Sequence, residues 1–276
     1  MNRLQRVFGE DAGRLLIPYL TAGWPSFVSN ARMLAGFKMR GIRIAELGVP
    51  FSDPMADGPA IQKSSHEALE NGVTMDKIFR FISGLGPRVP EALLLMSYYN
   101  PVYARGVGKF CRDCKKAGIA GVIIPDLPPE EAGGLLESAG SSGTAVCFMA
   151  APSSTDDRIC KSGRLTTGFM YYVSVTGVTG ERTSLSCPSA GRIRRVKKLS
   201  GRPVAVGFGI SIPAHVKAVL KAADAAIVGS ALINRLSAGG KRAETAALEY
   251  AGRLQRAATM GRLSSGTSPF VPLPGL

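Results

Sequence analysis

The segment Glu46-Leu-Gly-Val-Pro-Phe-Ser-Asp53-Pro-Met-Ala-Asp57-Gly-Pro59 sets one carboxylate directly after an apolar run and two more in a Gly/Pro-rich loop just beyond it. Ile42, Ile44, Ala45 and Leu47 read as a buried parallel strand. A carboxylate near the end of such a strand is costly to desolvate unless it is paired, protonated or used in chemistry. Glu46 is therefore either neutralised by a nearby Lys or Arg, or it belongs to an acid/base site together with its acidic neighbours.

The elements that must position these carboxylates follow from the hydrophobic pattern. Short apolar runs recur at Leu15 to Leu20, Ile42 to Val49, Leu93 to Met96, Gly121 to Pro125, Ala145 to Met149, Phe169 to Val173, Val204 to Phe208 and Ala225 to Val228. Between them lie segments with helical spacing, such as Ile61, Ser64, Ser65, Ala68 and Leu69, or Ala247, Ala251, Leu254 and Ala258. Eight strands alternating with helices predict a single (β/α)8 barrel of the α/β class. A doubly wound open sheet usually has five or six strands and leaves the last pair unexplained. No linker divides the chain, so one barrel domain is expected over residues 1–262. Residues 263–276, uncharged and rich in Ser, Pro and Gly, read as a flexible tail.

Chemistry in such a barrel sits at the C-terminal ends of the strands. Here those ends carry Glu46, Asp53 and Asp57 after the second strand, Tyr98, Tyr99 and Asn100 after the third, and Asp126 after the fourth. Asp53 before Pro54, and Asp126 before Leu127-Pro128-Pro129, are expected to be turn formers that accept hydrogen bonds from their own backbone. The seventh and eighth strands end in Gly207-Phe208-Gly209-Ile210-Ser211 and Gly229-Ser230. Two glycine turns at successive strand ends, the second followed by a hydroxyl, fit phosphate held by backbone N–H groups and a helix N-terminus. The segment from Ser174 to Gly191 is too long for an idle connection, and its composition suits a lid.

Composition narrows the class further. Against 20 acidic residues stand 34 basic ones, a net charge of +14. The densest basic group, Arg192 to Lys198, has no interleaved aromatics to stack bases, so it reads as a solvated helix face, and the overall positive field favours a small anionic ligand over nucleic acid. Five scattered cysteines argue for a reducing compartment. The single Cys111-Arg-Asp-Cys114 pair, in a chain with two histidines, lacks the further ligands a zinc site needs. No apolar run approaches the roughly 18 to 20 residues of a membrane span, and the first residues lack the uninterrupted apolar segment of a signal peptide. A cytoplasmic, non-membrane protein is expected.

The chain resembles the α subunit of tryptophan synthase over essentially its whole length up to the tail. The resemblance rests on Pro18-Tyr-Leu-Thr-Ala-Gly23, Glu46 through Gln62, Pro125-Asp-Leu-Pro-Pro-Glu-Glu131, Ser174 followed by Gly177-Val-Thr-Gly180, and Gly207-Phe-Gly-Ile-Ser211. It implies retro-aldol cleavage of indole-3-glycerol phosphate to indole and glyceraldehyde 3-phosphate. Glu46 would be the general acid/base, Asp57 the carboxylate on the indole N–H, and Tyr171 a supporting group. Tyr19, Ile61, Met96 and Thr179 would line the indole pocket and lid, and Gly180, Phe208, Gly209, Gly229 and Ser230 would contact the phosphate. No metal or cofactor is implied in this chain. The implied partner is a pyridoxal-phosphate-dependent β subunit in an αββα tetramer. Tyr19 and Met96 stand where other large apolar residues are expected, and the high positive charge also departs from the family pattern. The alternative is a weakly active or inactive barrel that mainly activates a β subunit.

Overall fold

The computed structural model describes residues 1–12, 14–173, 189–207 and 209–260. Its strands are β1 (Leu15–Thr21), β2 (Ile44–Gly48), β3 (Ala92–Met96), β4 (Gly121–Ile123), β5 (Ala145–Cys147), β6 (Met149–Ala150), β7 (Met170–Val173), β8 (Val204–Gly207) and β9 (Ala225–Val228). The helices are α1 (Arg3–Asp11), α2 (Phe27–Met39), α3 (Pro59–Glu70), α4 (Met75–Leu85), α5 (Tyr99–Arg105), α6 (Val107–Ala117), α7 (Gly133–Ser142), α8 (Asp156–Leu165), α9 (Ala190–Ser200), α10 (Pro213–Leu220), α11 (Ser230–Leu236) and α12 (Gly240–Thr259).

Among the described residues every strand pairing is parallel, in the order β5-β4-β3-β2-β1-β9-β8-β7-β6. The two ends of that order, β5 and β6, are consecutive in the chain and separated by Phe148 alone, so they occupy one strand position and bring the sheet round into a barrel. The apolar run Ala145 to Met149 was expected to be one strand. Its backbone divides because the Phe148 N–H turns to the Thr166 hydroxyl (3.4 Å) while its carbonyl accepts from Tyr171 N (2.9 Å).

Strands rich in Val, Ile, Leu and Ala are buried over nearly their whole length, with only Met149, Val173 and Gly207 partly open, which matches a parallel sheet covered by helices on its outer face. On α12, Ala247, Ala251, Leu254 and Ala258 form the buried stripe that their spacing predicted. The basic helix α9 closes at Gly201 in the left-handed conformation (φ 62°). Three of its charges are engaged: Arg195 pairs with Asp156, Lys197 Nζ lies 2.6 Å from the buried Asp224, and Arg192 donates to the carbonyls of Pro152 and Ser154. Among the described residues no helix is long and apolar enough to cross a membrane.

α1 lies at the N-terminal end of the barrel. Asn2 and Gln5 form a reciprocal capping box at its start, and Leu4, Val7 and Phe8 are buried, with Phe8 against Phe169 at 5.3 Å. Its far end is held by charge. Arg43, just before β2, donates to Asp11 (2.5 Å), Glu10 (2.6 Å) and Glu91 (2.6 Å), while Arg6 also pairs with Glu91. Burial works to raise the pKa of Glu91, but the bonds from Arg43 and Arg6 outweigh it and hold the carboxyl below its usual value. Arg43→Met should therefore lower stability by about 1–3 kcal/mol at neutral pH, as several charge-assisted bonds to half-buried acids are lost. Glu91 contributes stability above its unfolded pKa and loses it as pH falls through the lowered folded value. In urea melts the deficit of the variant should thus shrink on acidification, and a deficit constant with pH would contradict this role.

Candidate active site

The register of β1, β2 and β3 sets Tyr19 beside Glu46 and Glu46 beside Leu94. Cross-strand partners share a face, and strand alternation adds Thr21, Gly48 and Met96 to it. That face is the barrel interior, since Glu46 is also within electrostatic reach of Tyr171 on β7 and Cys147 on β5.

Glu46 is wholly out of solvent, and neither carboxyl oxygen has a hydrogen-bond partner among the described residues. Among the described residues it has no ion pair either, which removes the reading of a Glu neutralised by Lys or Arg. Burial, followed by the nearby charge of Asp57, pushes its pKa from 4.5 to about 8. Asp57 arrives from the loop between β2 and α3, folded by hydrogen bonds from Met55 N to Asp53 O (2.9 Å) and from Asp57 N to Pro54 O (3.0 Å). Burial raises Asp57 from 3.8 to about 6, and a hydrogen bond from Tyr98 works in the opposite direction. At neutral pH the site thus holds one protonated and one ionised carboxyl group.

Tyr98 is the site residue that the sequence reading placed at the rim without assigning it a function. Its hydroxyl donates to Asp57 Oδ2 (3.1 Å) and accepts from Ala56 N (2.8 Å), and its ring stacks on Phe51 with centroids 5.0 Å apart. The signal was available: Leu94, Met96 and Tyr98 continue the inward alternation of β3. Asp126 corrects an expectation. Instead of accepting from its own backbone, it receives Tyr99 N on both oxygens (2.9 and 3.1 Å). The first N–H of α5 has no partner within its own helix and lies beside the end of β4, so Asp126 fixes the corner next to Tyr98. Asp53 is exposed, and it too departs from the expectation: its carboxylate accepts from the Ser52 hydroxyl (2.5 Å) rather than from its own backbone, and the turn closes through its carbonyl, which accepts from Met55 N (2.9 Å).

Tyr171 is buried, and its phenol crosses Gly207 so closely that a Cβ there would lie 2.7 Å from the hydroxyl. Tyr19 crosses Gly48 in the same way, in closer contact still. Burial, together with the charges of Glu46 and Asp57, raises the pKa of both phenols, so both stay protonated. Met96, the partner of Gly48, is buried, and half-buried Ile61 on α3 approaches Gly229, where a Cβ would meet its Cδ1 at 3.3 Å. Gly229 precedes Ser230, the first residue of α11, and a Cβ on Gly58 would lie 3.7 Å from Ser230 Oγ. The Asp57 loop and the end of β9 therefore face each other. Gly209 is exposed with a positive φ of 27°. Thr179, Gly180, Phe208 and residues 174–188 of the expected lid lie outside the described residues, while the last three residues of that segment, Ser189 to Gly191, form the N-cap and start of α9.

A buried acid on the inner wall of a (β/α)8 barrel, with a second carboxyl reaching it from the loop at the mouth, is an arrangement suited to general acid/base chemistry. The sequence model of the family described as tryptophan synthase alpha chain matches residues 8–260. The tryptophan synthase alpha chain of Acaryochloris marina is 44% identical over 225 residues, covering 81% of this chain and 84% of the relative. That of Geotalea daltonii is 42% identical over 238 residues, covering 85% and 90%. Among solved structures, the tryptophan synthase complex of Pyrococcus furiosus superposes with TM-score 0.81 at 36% identity, covering 88% of this chain and 98% of that one. Tryptophan synthase of M. tuberculosis, in its open form, gives 0.84 at 32%, covering 94% and 99%. The chain belongs to the tryptophan synthase alpha chain family.

Because the folded pKa of Glu46 lies above its unfolded value, the carboxyl costs increasing stability as pH rises from about 4.5 towards 8. Glu46→Gln should gain stability relative to the parent protein between pH 5 and pH 8. Parallel denaturant melts with a pH-independent difference would show that Glu46 is ionised and solvated after all. Tyr98→Phe removes a bond that lowers the Asp57 pKa, so the acid limb of the kcat/KM profile should move to higher pH.

Proposed function

We propose that this chain cleaves indole-3-glycerol phosphate to indole and glyceraldehyde 3-phosphate, with Glu46 as general acid/base and Asp57 as the carboxylate that receives the indole N–H. The observation that carries the reading is the split between the two carboxyls, Glu46 at about 8 and Asp57 at about 6. Protonated Glu46 delivers its proton to indole C3. Charge then spreads over the ring and is stabilised by ionised Asp57 at the N–H. The C–C bond breaks as the neighbouring substrate hydroxyl becomes the aldehyde carbonyl. Its proton returns to Glu46, so the catalyst ends the cycle as it began.

In this proposal Tyr19, Ile61, Met96 and Thr179 surround the indole, and Tyr171 supports the acid from the opposite wall. The phosphate is held by Gly180, Phe208, Gly209, Gly229 and Ser230, a reading supported by the approach of Gly229 and Ser230 to the Asp57 loop. The chain would act as one barrel domain over residues 1–262, followed by a tail outside the described residues. Its partner would be a β subunit carrying pyridoxal phosphate, which receives the indole within an αββα assembly. A structure of the Pyrococcus furiosus relative is described as an a2b2 complex. Cys111, Cys114, Cys147 and Cys160 are free thiols, which supports work in the cytoplasm.

The test is indole release from indole-3-glycerol phosphate, with and without a β subunit. Glu46→Gln and Asp57→Asn should each lower kcat by about 10²–10⁴-fold while leaving the circular dichroism spectrum unchanged. Retained turnover in either folded variant, or stimulation of the β subunit by a parent protein that releases no glyceraldehyde 3-phosphate, would contradict the reading.

A further inference from the structure

On the outer wall of the barrel, away from the mouth, α2 and α4 meet at two points. At one the Phe27 and Phe81 rings pack with centroids 4.8 Å apart, and at the other the Lys38 ammonium donates to the Pro87 carbonyl just past α4. Between these ties α2 presents Ala31 and Ala35, spaced by one turn each from Phe27, and α4 presents Gly84. These small residues leave a hollow of about 630 Å³, walled by the two phenylalanines and Leu85. That is the size of a pocket for one small molecule. At Gly84 the space is open, since a Cβ built there would meet no atom within 4 Å.

Among the described residues every charged group that lines the hollow is basic: Arg32, Lys77, Arg80 and Arg88. Arg32 is paired with Glu244 at 3.4 Å, and Lys77 donates to the Gly72 carbonyl at 2.6 Å. Arg80 and Arg88 stand four residues before and after Gly84. Neither side chain has an ion pair or hydrogen bond among the described residues, and Arg80 acts on Asp76 only through its field. Unpaired guanidinium groups offer the forked donors that a carboxylate accepts, and the half-buried Phe27 and Phe81 rings offer a surface for an apolar ring. Charge also decides between occupants. A second copy would set the same basic rim against this one, and residues 263–276 of this chain contain no acid, so neither complements the hollow.

We propose that the hollow between α2 and α4 is a binding site for a small aryl carboxylate, its ring seated against Phe27 and Phe81 and its carboxylate held by Arg80 and Arg88. The site is separate from the barrel mouth and does not depend on the lyase reading. The test is calorimetric titration of the full chain with 2-naphthoate, and with neutral 2-naphthamide as the control for charge. The acid should bind about tenfold or more tightly than the amide, as charge-assisted bonds to two guanidinium groups require. Gly84→Trp puts the protein's own ring into the open space on a helical backbone that accepts any side chain, so the circular dichroism spectrum should persist while 2-naphthoate affinity falls about tenfold or more. The double variant Arg80→Gln/Arg88→Gln, changed only at exposed positions, should show a similar loss. Unchanged 2-naphthoate affinity in either folded variant, equal affinity for acid and amide, or no binding by the parent protein would overturn the proposal. So would a parent dimer that dissociates as 2-naphthoate binds, since the hollow would then belong to a second copy.

Discussion

Among the described residues the carboxyl group of Glu46, inside the barrel, has neither a cation nor a hydrogen-bond donor to steady its ionised form, and a second carboxyl shares its field. An isolated buried charge is far more costly than a buried neutral acid, so the group keeps its proton into the neutral range. The rest of the site follows from that constraint. Asp57, less deeply buried and bonded by Tyr98, becomes the group that ionises first. Two chemically similar side chains acquire opposite roles from their surroundings alone.

The scaffold holds this difference in place by tying the rim together from several directions. Asp126 at the end of β4 secures the backbone of Tyr99. Tyr98 beside it secures both the backbone of Ala56 and the side chain of Asp57. The Thr21–Ser64 bond clamps α3, which starts directly after the Asp57 loop, onto β1. Gly48 and Gly207 are where β2 and β8 yield space to the phenols of Tyr19 and Tyr171, since a side chain at either position would displace the ring. At the opposite end of the barrel, α1 and the Arg43 cluster close the N-terminal end, which leaves the C-terminal rim free for chemistry.

Much of this was legible in the residue types. The eight apolar runs fall on the eight strand positions, the spacing in α3 and α12 marks their buried faces, and the acidic loop after β2 carries its own chemical signature. What escaped depends on long-range contact. The break at Phe148 cannot be read from an unbroken apolar run, because it arises from Thr166 eighteen positions away. Asp126 looked like a local turn former because its partner, Tyr99 N, is distant in sequence and adjacent only once β3 and β4 pair. Tyr98 and α1 were readable in principle, the first from strand alternation and the second from the Asn2–Gln5 capping spacing. The raised pKa of Glu46 required the structure, since sequence cannot show how deeply a carboxyl is buried or which charges stand near it.

The central claim is the protonation state of Glu46, and the direct measurement is a carbon-13 NMR titration of the protein labelled at glutamate carboxyl carbons, with the Glu46→Gln variant assigning the resonance. The Glu46 signal should titrate near pH 8. A Glu46 resonance that titrates at the ordinary value of 4.5 would contradict it.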